Sequence, residues 1–478
     1  MRWGAVQEAF VERLGHRAVS DLESGTIVVI PSITFPVVEL DKIVAARYYE
    51  ERTLFLALLL RRPGLRMIFV TSTSIDPAIV DYYLRFLPDA AGARERLHLV
   101  ALDDPTTSPL SKKILSRPDV VSEIRGLAGD PDDACVVTFN VTALEWDMCH
   151  RLGLPLYGPA PDLARLGSKS GSRQLARRAG VAILEGAEDL FSLSALEAAV
   201  GVIAKRRPGA EAVVAKLNYG FSGQGSAMVD LGGPIVPVTA APTTFCAGGE
   251  SWDTYAATLA AEGAIVEELV RVPGTVSPSV QLHVSPAGSF EVVSTHDQVL
   301  GGPGNQVYIG CRFPADESYR LAIQAEAIKV AELLAAEGVM GSFGIDFLVV
   351  PDGHDRRVYL SEINLRMGGT THPFWMARLA TDGTYDVTSG SLLADGRAKS
   401  YVATDNFKSP SLIGRSPASV IDAVDGAGLG FDPVGATGTT LHLLGAVPGY
   451  GKLGATCIAD STVEAEDLYR RVAALVVG

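Results

Sequence analysis

The sequence predicts a mixed α/β and α+β protein: an N-terminal doubly wound parallel-sheet unit, a strand-rich α+β centre and a small C-terminal αβ module. Three observations carry this. Strand and helix signals alternate through the first 165 residues; successive strands joined by Gly, Pro and Asn turns then take over; the segment after residue 390 returns to strand–turn–strand–helix. The boundaries are 1–165, 166–390 and 391–478. A chain of 478 residues is too long for one core, and about 150 residues per domain gives the same division into three.

In the first unit TIVVI at 26–30 reads as a buried strand, and LDKIVAARYYEERTLFLALLL reads as a helix stopped by Pro63-Gly64. LRMIFVT is the next strand. Asp76-Pro77 then offers an N-cap followed by proline in the first turn, before AIVDYYLRFL. LHLVAL and ACVVTFN are further strands, and ALEWDMCHRLG is a helix leading to PLYG. Such β-α-β-α alternation predicts parallel pairing.

The centre opens with a short helix, KSGSRQLARRAG, ending at Gly180. AVVAKLN, SAMVDL, AIVEELVRV, SVQLHVS and SFEVVSTHDQVL read as strands. A helix over about 318–337 precedes FGIDFLVV and VYLSEINL, a hairpin turning at Pro351-Asp352-Gly353. The tail gives TTLHLLGAV, a PGYGK turn, GATCIAD and a helix from Ser461, with Ser461 and Glu464 spaced as a capping box.

Composition narrows the function classes. Hydrophobic residues make up 47% and charged residues 20%, which is ordinary for a globular chain. A net charge of −14 disfavours general nucleic-acid binding, because an acidic surface repels phosphate backbones. The opening MRWGAVQEAFVERLGHR lacks a basic segment followed by an apolar run, so no signal peptide is expected; no apolar stretch reaches membrane-spanning length. Five scattered cysteines (135, 149, 246, 311 and 457) without a CxxC pair fit buried thiols and a cytoplasmic location.

Four sequence features carry chemistry. In Lys216-Leu-Asn-Tyr-Gly220-Phe-Ser222-Gly223-Gln224-Gly225, glycines permit close backbone approach to phosphate oxygens. The lysine precedes the glycines and a strand follows, which suggests a β-hairpin lid rather than a strand–loop–helix phosphate loop; a Gly-rich turn with no ligand is the alternative. Lys169, among small residues in Gly167-Ser-Lys-Ser-Gly-Ser-Arg173, supplies a second cation, and two lysines on separate elements can clamp a triphosphate. Paired carboxylates in Ile265-Val-Glu267-Glu268-Leu269-Val270 sit on a strand that can offer an adenine slot, or merely an acidic outer face. Lastly, Asp346 in GIDFLVV precedes Glu362 and Asn364 in LSEINLRMGG. Period-two alternation puts Glu362 and Asn364 on one face, and two carboxylates with an amide oxygen suit magnesium. Arg366 continues that alternation toward the transferred phosphate; a buried salt-bridge network with Arg366 is the competing account.

Taken in order, Lys169, Lys216 with its Gly loop, Glu267-Glu268, Asp346 and Glu362-x-Asn364-x-Arg366 resemble the ATP-grasp superfamily over about 160–390. The α/β unit before them resembles the domain that precedes the ATP-grasp fold in that superfamily. PLYGPAPDLARLGSKSGSR, THDQVLGGPGNQVYIGCRFPA, SEINLRMGGTTHPF and YGKLGATCIADSTVEAEDLY resemble the peptide ligases of pheganomycin biosynthesis across nearly the whole chain.

The resemblance implies ATP and magnesium, usually two ions, as cofactors. Lys169 and Lys216 would contact the phosphates, Gly220–Gly225 would close over them, and the backbone of Glu267–Leu269 would hold adenine. Asp346, Glu362 and Asn364 would bind magnesium, and Arg366 would stabilise the acyl phosphate and tetrahedral intermediate. Members of the superfamily often carry a ribose-binding acid just past the hinge; Val272-Pro273-Gly274-Thr275 has none, and Glu268 is its expected substitute. His296, Arg312 and His372 are candidates for the substrate site, each with a structural alternative.

The implied reaction activates a guanidino-bearing amino acid as an acyl phosphate and joins it to a peptide N-terminus in antibiotic biosynthesis. A small-molecule acid and a short peptide amine are thus the expected partners, and the resemblance allows a homodimer. Competing readings are a ligase for free amino acids or dipeptides, a carboxylase-like enzyme, and an inactive nucleotide-binding sensor or scaffold. No biotinylation motif supports the carboxylase, and the intact acid set argues against the sensor.

Overall fold

The computed structural model describes residues 3–220, 224–232, 237–302 and 307–478. β1 (Ser24–Ile30), β2 (Gly64–Thr71), β3 (Leu97–Ala101), β4 (Ala134–Thr138) and β5 (Leu156–Tyr157) form a parallel sheet in the order β3-β2-β1-β4-β5. The apolar runs of the central strands β1, β2 and β4 are buried on both faces, as parallel pairing between helical layers requires. The strand order switches direction between β1 and β4. The chain leaving their C-terminal ends carries Ile33, Phe35 and Phe139 into a large cavity, the usual place for a site in such sheets.

β6 (Gly186–Leu190), β7 (Ala212–Leu217), β8 (Ser226–Asp230), β9 (Thr243–Phe245) and β10 (Ala264–Glu268) make an antiparallel sheet ordered β6-β10-β7-β8-β9. The remaining strands are β11 (Pro278–Val284), β12 (Phe290–Gly301), β13 (Val307–Phe313), β14 (Gly341–Asp352), β15 (Asp355–Asn364), β16 (Thr384–Asp386), β17 (Ser391–Ala394), β18 (Arg397–Lys408), β19 (Gly438–His442) and β20 (Lys452–Ala459). They form one large sheet in which β18 pairs with β13, β17 and β20. The expected hairpin is β14–β15, closed by Gly353 at φ +65° with Asp352 opposite Asp355.

The small αβ module expected after residue 390 is present, and its strands extend the central sheet. Phe407, Leu412, Leu453 and Val472 also share a core with Phe10, Leu54, Phe69 and Tyr83 of the N-terminal unit. The segment read as an α-helix before Pro63 winds instead as 3₁₀ turns over Ala46–Arg61. Residues 53–60 are all buried, so Leu54–Leu60 threads the core and has no single apolar stripe to lay on it. All five cysteines are buried and free. Among the described residues no helix is long and apolar enough to cross a membrane.

Glu51, on the 3₁₀ segment, ties the two ends of the chain together by accepting from the Gly445 amide at 3.0 Å. Glycine at 445 permits this close approach, since a Cβ there would stand 2.0 Å from the Glu51 carboxylate and 2.7 Å from the Tyr48 ring. Burial, helped by the Glu50 and Asp76 charges, pushes the Glu51 carboxyl up to about 8 against the pull of that hydrogen bond. A carboxyl raised in the folded state stabilises fully below its unfolded pKa and loses that contribution as pH rises through the folded value. Glu51→Gln is therefore expected to melt several degrees above wild type at pH 9 and close to wild type near pH 5. Thermal melts at the two pH values check this.

Candidate active site

One cavity of about 1320 Å³ runs between the three sheets. Its walls come from the N-terminal unit (Phe35, Tyr49, Arg52, Phe139), the antiparallel sheet (Val214, Lys216, Met228), the β14–β15 hairpin and the C-terminal strands (Asp405, Lys452).

The hairpin supplies the acidic wall. Asp346 on β14 lies directly opposite Glu362 on β15, with Gly344 opposite Asn364, so alternation turns Asp346, Glu362 and Asn364 into the cavity. Asp346 accepts from Gln298 Nε2 at 2.8 Å and from Asn364 Nδ2 at 3.0 Å. Burial, then the Glu362 charge, pushes its carboxyl up to about 7. Glu362 behaves oppositely: burial raises it, but Lys169, Arg366 and Lys216 together hold it below the usual carboxylate range. Two facing carboxylates, one of them raised by the charge of the other, favour a bound divalent cation, whose charge removes the repulsion. The oxygen-rich donor set therefore fits magnesium.

Arg366 follows β15 into the cavity, its guanidinium 5.6 Å from the Phe35 ring centre. Burial depresses its pKa while the Glu362 and Asp346 charges oppose that. Among the described residues no carboxylate lies within 4 Å of it; Glu362 pairs instead with Lys169 Nζ at 3.2 Å. This disfavours the closed Glu362–Arg366 network, and leaves the Arg366 guanidinium available to a ligand.

Lys169 is the first residue of a helix, Lys169–Arg178, that Ser168 caps by accepting from Gly171 N. Gly171 lets this turn pack on the preceding chain, where a Cβ would meet Arg165 O at 2.0 Å. The helix start is docked on the Gly-rich hairpin: Asn218 Oδ1 accepts from Ser170 N at 2.9 Å, and Gly220 O accepts from Lys169 Nζ at 2.8 Å. The Lys169 ammonium thus bridges the base of the hairpin and Glu362. β7 and β8 flank that hairpin, with Lys216 opposite Ser226 as a lid between strands requires. Lys169, Lys216, Gly220 and Gln224 line the cavity, while the Gly225 amide is held by Glu250 at 3.1 Å. Ser222 and Gly223 lie outside the described residues.

The hinge strand divides its side chains. Glu267 lines the cavity and is gripped by Lys216 at 2.6 Å and Arg173 at 3.2 Å. Burial would lower the Lys216 pKa, but the Glu267 carboxylate more than offsets this and keeps the ammonium charged. Leu269, with Val214, Met228, Leu184 and Leu348, gives the apolar lining that a purine face needs. The Glu268 and Leu269 amides are already bonded to Glu185 O and Ala212 O, so they do not face a purine edge.

The structure corrects three expectations about side chains. Glu268, the substitute for the ribose acid, turns away from the cavity and binds Arg207 through both oxygens at 2.7 and 2.9 Å. Strand alternation that points Glu267 inward must point its neighbour outward. His296 is fully buried against Phe313, Phe374 and Tyr401, with Nε2 2.6 Å from the Tyr401 hydroxyl; it does not line the cavity. His372 stands behind the wall, 3.2 Å from Asp405 and 3.1 Å from His442 Nε2, where it buttresses Asp405. Arg312 does line the cavity and is paired with Glu466.

Tyr49, Arg52, Asp405, Asn406 and Lys452 also line the cavity without having been singled out from the sequence. Asp405 and Asn406 occupy an irregularity between Thr404 and Phe407 on β18, and such a bulge brings neighbouring side chains to one face. The PGYGK turn and the YGKLGATCIADSTVEAEDLY stretch drew attention to the neighbourhood of Lys452, but neither singled out its side chain.

Two family models match the chain: an IQCH-like ATP-grasp model over residues 240–388 and the PGM1 C-terminal domain over residues 419–472. The L-propargylglycine–L-glutamate ligase of Streptantibioticus cattleyicolor is 30% identical over 463 residues, covering 92% of this chain and 91% of that protein. Among solved structures, the biotin carboxylase of Campylobacter jejuni matches with a TM-score of 0.58 at 16% identity, over 94% of this chain and 90% of that one. An N5-carboxyaminoimidazole ribonucleotide synthetase in complex with ADP matches with a TM-score of 0.54 at 14% identity, over 94% and 96%. At these identities the two structures establish the fold alone.

Proposed function

Because the chain belongs to the ATP-grasp carboxylate–amine ligases, we propose that it converts an amino-acid carboxylate to an acyl phosphate and couples it to the amine of a second amino acid or short peptide. The observation that carries this is the pairing of Asp346 and Glu362 on one wall of a cavity whose other walls present Lys169, Lys216 and Arg366.

The donor carboxylate oxygen attacks the γ-phosphorus in line, the bond to the β-phosphate oxygen breaks, and ADP leaves. Lys169 and Lys216 offset the phosphate charge, while Val214, Met228 and Leu269 enclose the adenine. Asp346, Glu362 and Asn364 would hold magnesium, by resemblance two ions, which when bound neutralises phosphate charge and polarises the γ-phosphoryl group. The hairpin that follows Lys216 covers the phosphates and keeps water from the acyl phosphate. The acceptor amine then attacks the acyl carbon, Arg366 stabilises the oxyanion, and phosphate departs as the amide forms.

The name of the Streptantibioticus relative pairs a nonproteinogenic amino acid with glutamate, which supports an unusual amino acid as donor and peptide natural-product assembly as the setting. A guanidino-bearing donor, implied by the pheganomycin resemblance, would meet Asp297 on the cavity wall.

Lys216→Ala is expected to weaken ATP binding by about 10- to 100-fold, the usual worth of a charge-assisted contact. Unchanged affinity in a nucleotide titration would remove Lys216 from the phosphate site. Oxygen tracing tests the reaction itself: a donor labelled with ¹⁸O in its carboxylate should deliver one labelled oxygen to inorganic phosphate. Unlabelled phosphate, or AMP as product, would exclude the acyl phosphate.

A further inference from the structure

At the end of the cavity formed by the N- and C-terminal segments, Lys452 opens β20 just after the tight turn at Gly451 (φ +57°). It is 2% exposed, yet among the described residues no carboxylate lies within 4 Å of its ammonium. Its hydrogen bond is to the Tyr49 hydroxyl at 2.7 Å. The charge that could compensate it is Asp405, but that carboxylate is already taken by Arg52 at 3.0 Å, His442 at 2.7 Å and His372 at 3.2 Å. Arg52 lies 4.4 Å over the Tyr49 ring, so two buried cations share one carboxylate on this wall. Lys408 lines the same end and adds a third positive charge.

A buried ammonium without an anion costs several kcal/mol unless something binds it. Burial raises the Tyr49 pKa, keeping the phenol protonated. Having accepted from Lys452, it can still donate its own O–H. The two side chains therefore present N–H and O–H donors side by side to the cavity, a pattern that suits a carboxylate. Arg366, Arg52, Tyr49 and Lys452 line the same cavity, so this end communicates with the reacting end.

We propose that Lys452 and Tyr49, backed by the Arg52–Asp405 pair, form a subsite for a free carboxylate on the amine acceptor. The donor's own carboxylate is consumed in activation, so the carboxylate that survives beside the reaction centre belongs to the acceptor. The ligase thus prefers an amino-acid acceptor with a free acid group to the N-terminus of a long peptide, whose first carboxyl is already an amide. This inference rests on the ligase reading and narrows its acceptor class.

The test uses the full-length protein with ATP, magnesium and the donor found by hydroxylamine trapping. The proteinogenic L-amino acids are offered as acceptors, each as free acid and as α-amide, with glutamate also offered as glutamine to mask the side-chain carboxyl. Wild type should favour a free acid over its masked form by about 30-fold in kcat/KM, carried mainly by KM. In Lys452→Met the preference should fall to about 3-fold or less, and Lys452→Arg should retain part of it. Because Lys452 lacks an ion pair, Lys452→Met should melt at or above the wild-type temperature without substrate. Equal use of acid and amide by wild type, or acceptance of no free acid, would overturn the proposal. So would a Met variant that keeps the wild-type preference or melts more than about 5 °C lower, a loss that marks a structural lysine. No hydroxamate with any donor would instead defeat the ligase reading.

Discussion

Glu362→Gln is expected to lower the rate of ATP-dependent ligation by about 10³-fold or more, with the protein still folded and only modestly less stable. Glutamine keeps the side-chain volume and one oxygen but removes the charge that three cations converge on. The effect should be large because two functions are lost together. The divalent-ion site loses one of its two carboxylates, and Lys169 loses the anion that holds its ammonium 3.2 Å away, beside the base of the hairpin. Asp346, freed of its neighbour's charge, should also ionise more easily, so part of the metal affinity survives. The expected signature is a collapse in kcat with a smaller rise in the magnesium requirement. A variant that turns over at the wild-type rate would contradict the assignment of the carboxylate pair.

Arg366→Met should come next in size, lowering kcat by about 10²- to 10³-fold while ATP affinity changes little. Arg366 is aimed at the cavity without an ion-pair partner within 4 Å among the described residues, whereas Lys216 is gripped by Glu267. A guanidinium held ready in this way acts on charge that develops during the reaction more than on the bound nucleotide. Added guanidine should restore part of the activity in the Met variant, and Arg366→Lys should fall between the two. A loss of ATP affinity with kcat preserved would instead make Arg366 a ground-state phosphate ligand.

The chemistry-bearing hairpin was legible because its signals are local. Alternation places Glu362 and Asn364 on one face, Pro351-Asp352-Gly353 closes the turn, and the observed register sets Asp346 opposite Glu362. The parallel N-terminal sheet was legible for the same reason, from short apolar runs alternating with helices. What the sequence hid depends on contacts between distant segments. Glu268 is claimed by Arg207, 61 residues away, and a pair of acids in sequence does not say which faces a ligand. His296 sits in a polar-looking run, THDQ, yet its partner is Tyr401, 105 residues on. Tyr49 and Arg52 fall in the segment read as an α-helix, where no local signal marks them; they line the cavity from its 3₁₀ turns. The β18 irregularity that presents both Asp405 and Asn406 has no glycine to announce it. The tail reads as a small αβ module because its own strand and helix signals are complete; the pairing of β18 with β13, which joins it to the central sheet, is between distant segments and leaves no local signal.

Activation of a carboxylate by phosphoryl transfer within this cavity can be read out by hydroxylamine trapping. The protein is incubated with ATP, magnesium, hydroxylamine and a panel of amino and guanidino acids, and ADP and hydroxamate are both measured. Hydroxamate is expected with at least one acid, formed in equal amount to ADP and abolished by Glu362→Gln. ADP release with no hydroxamate across the panel would contradict that activation.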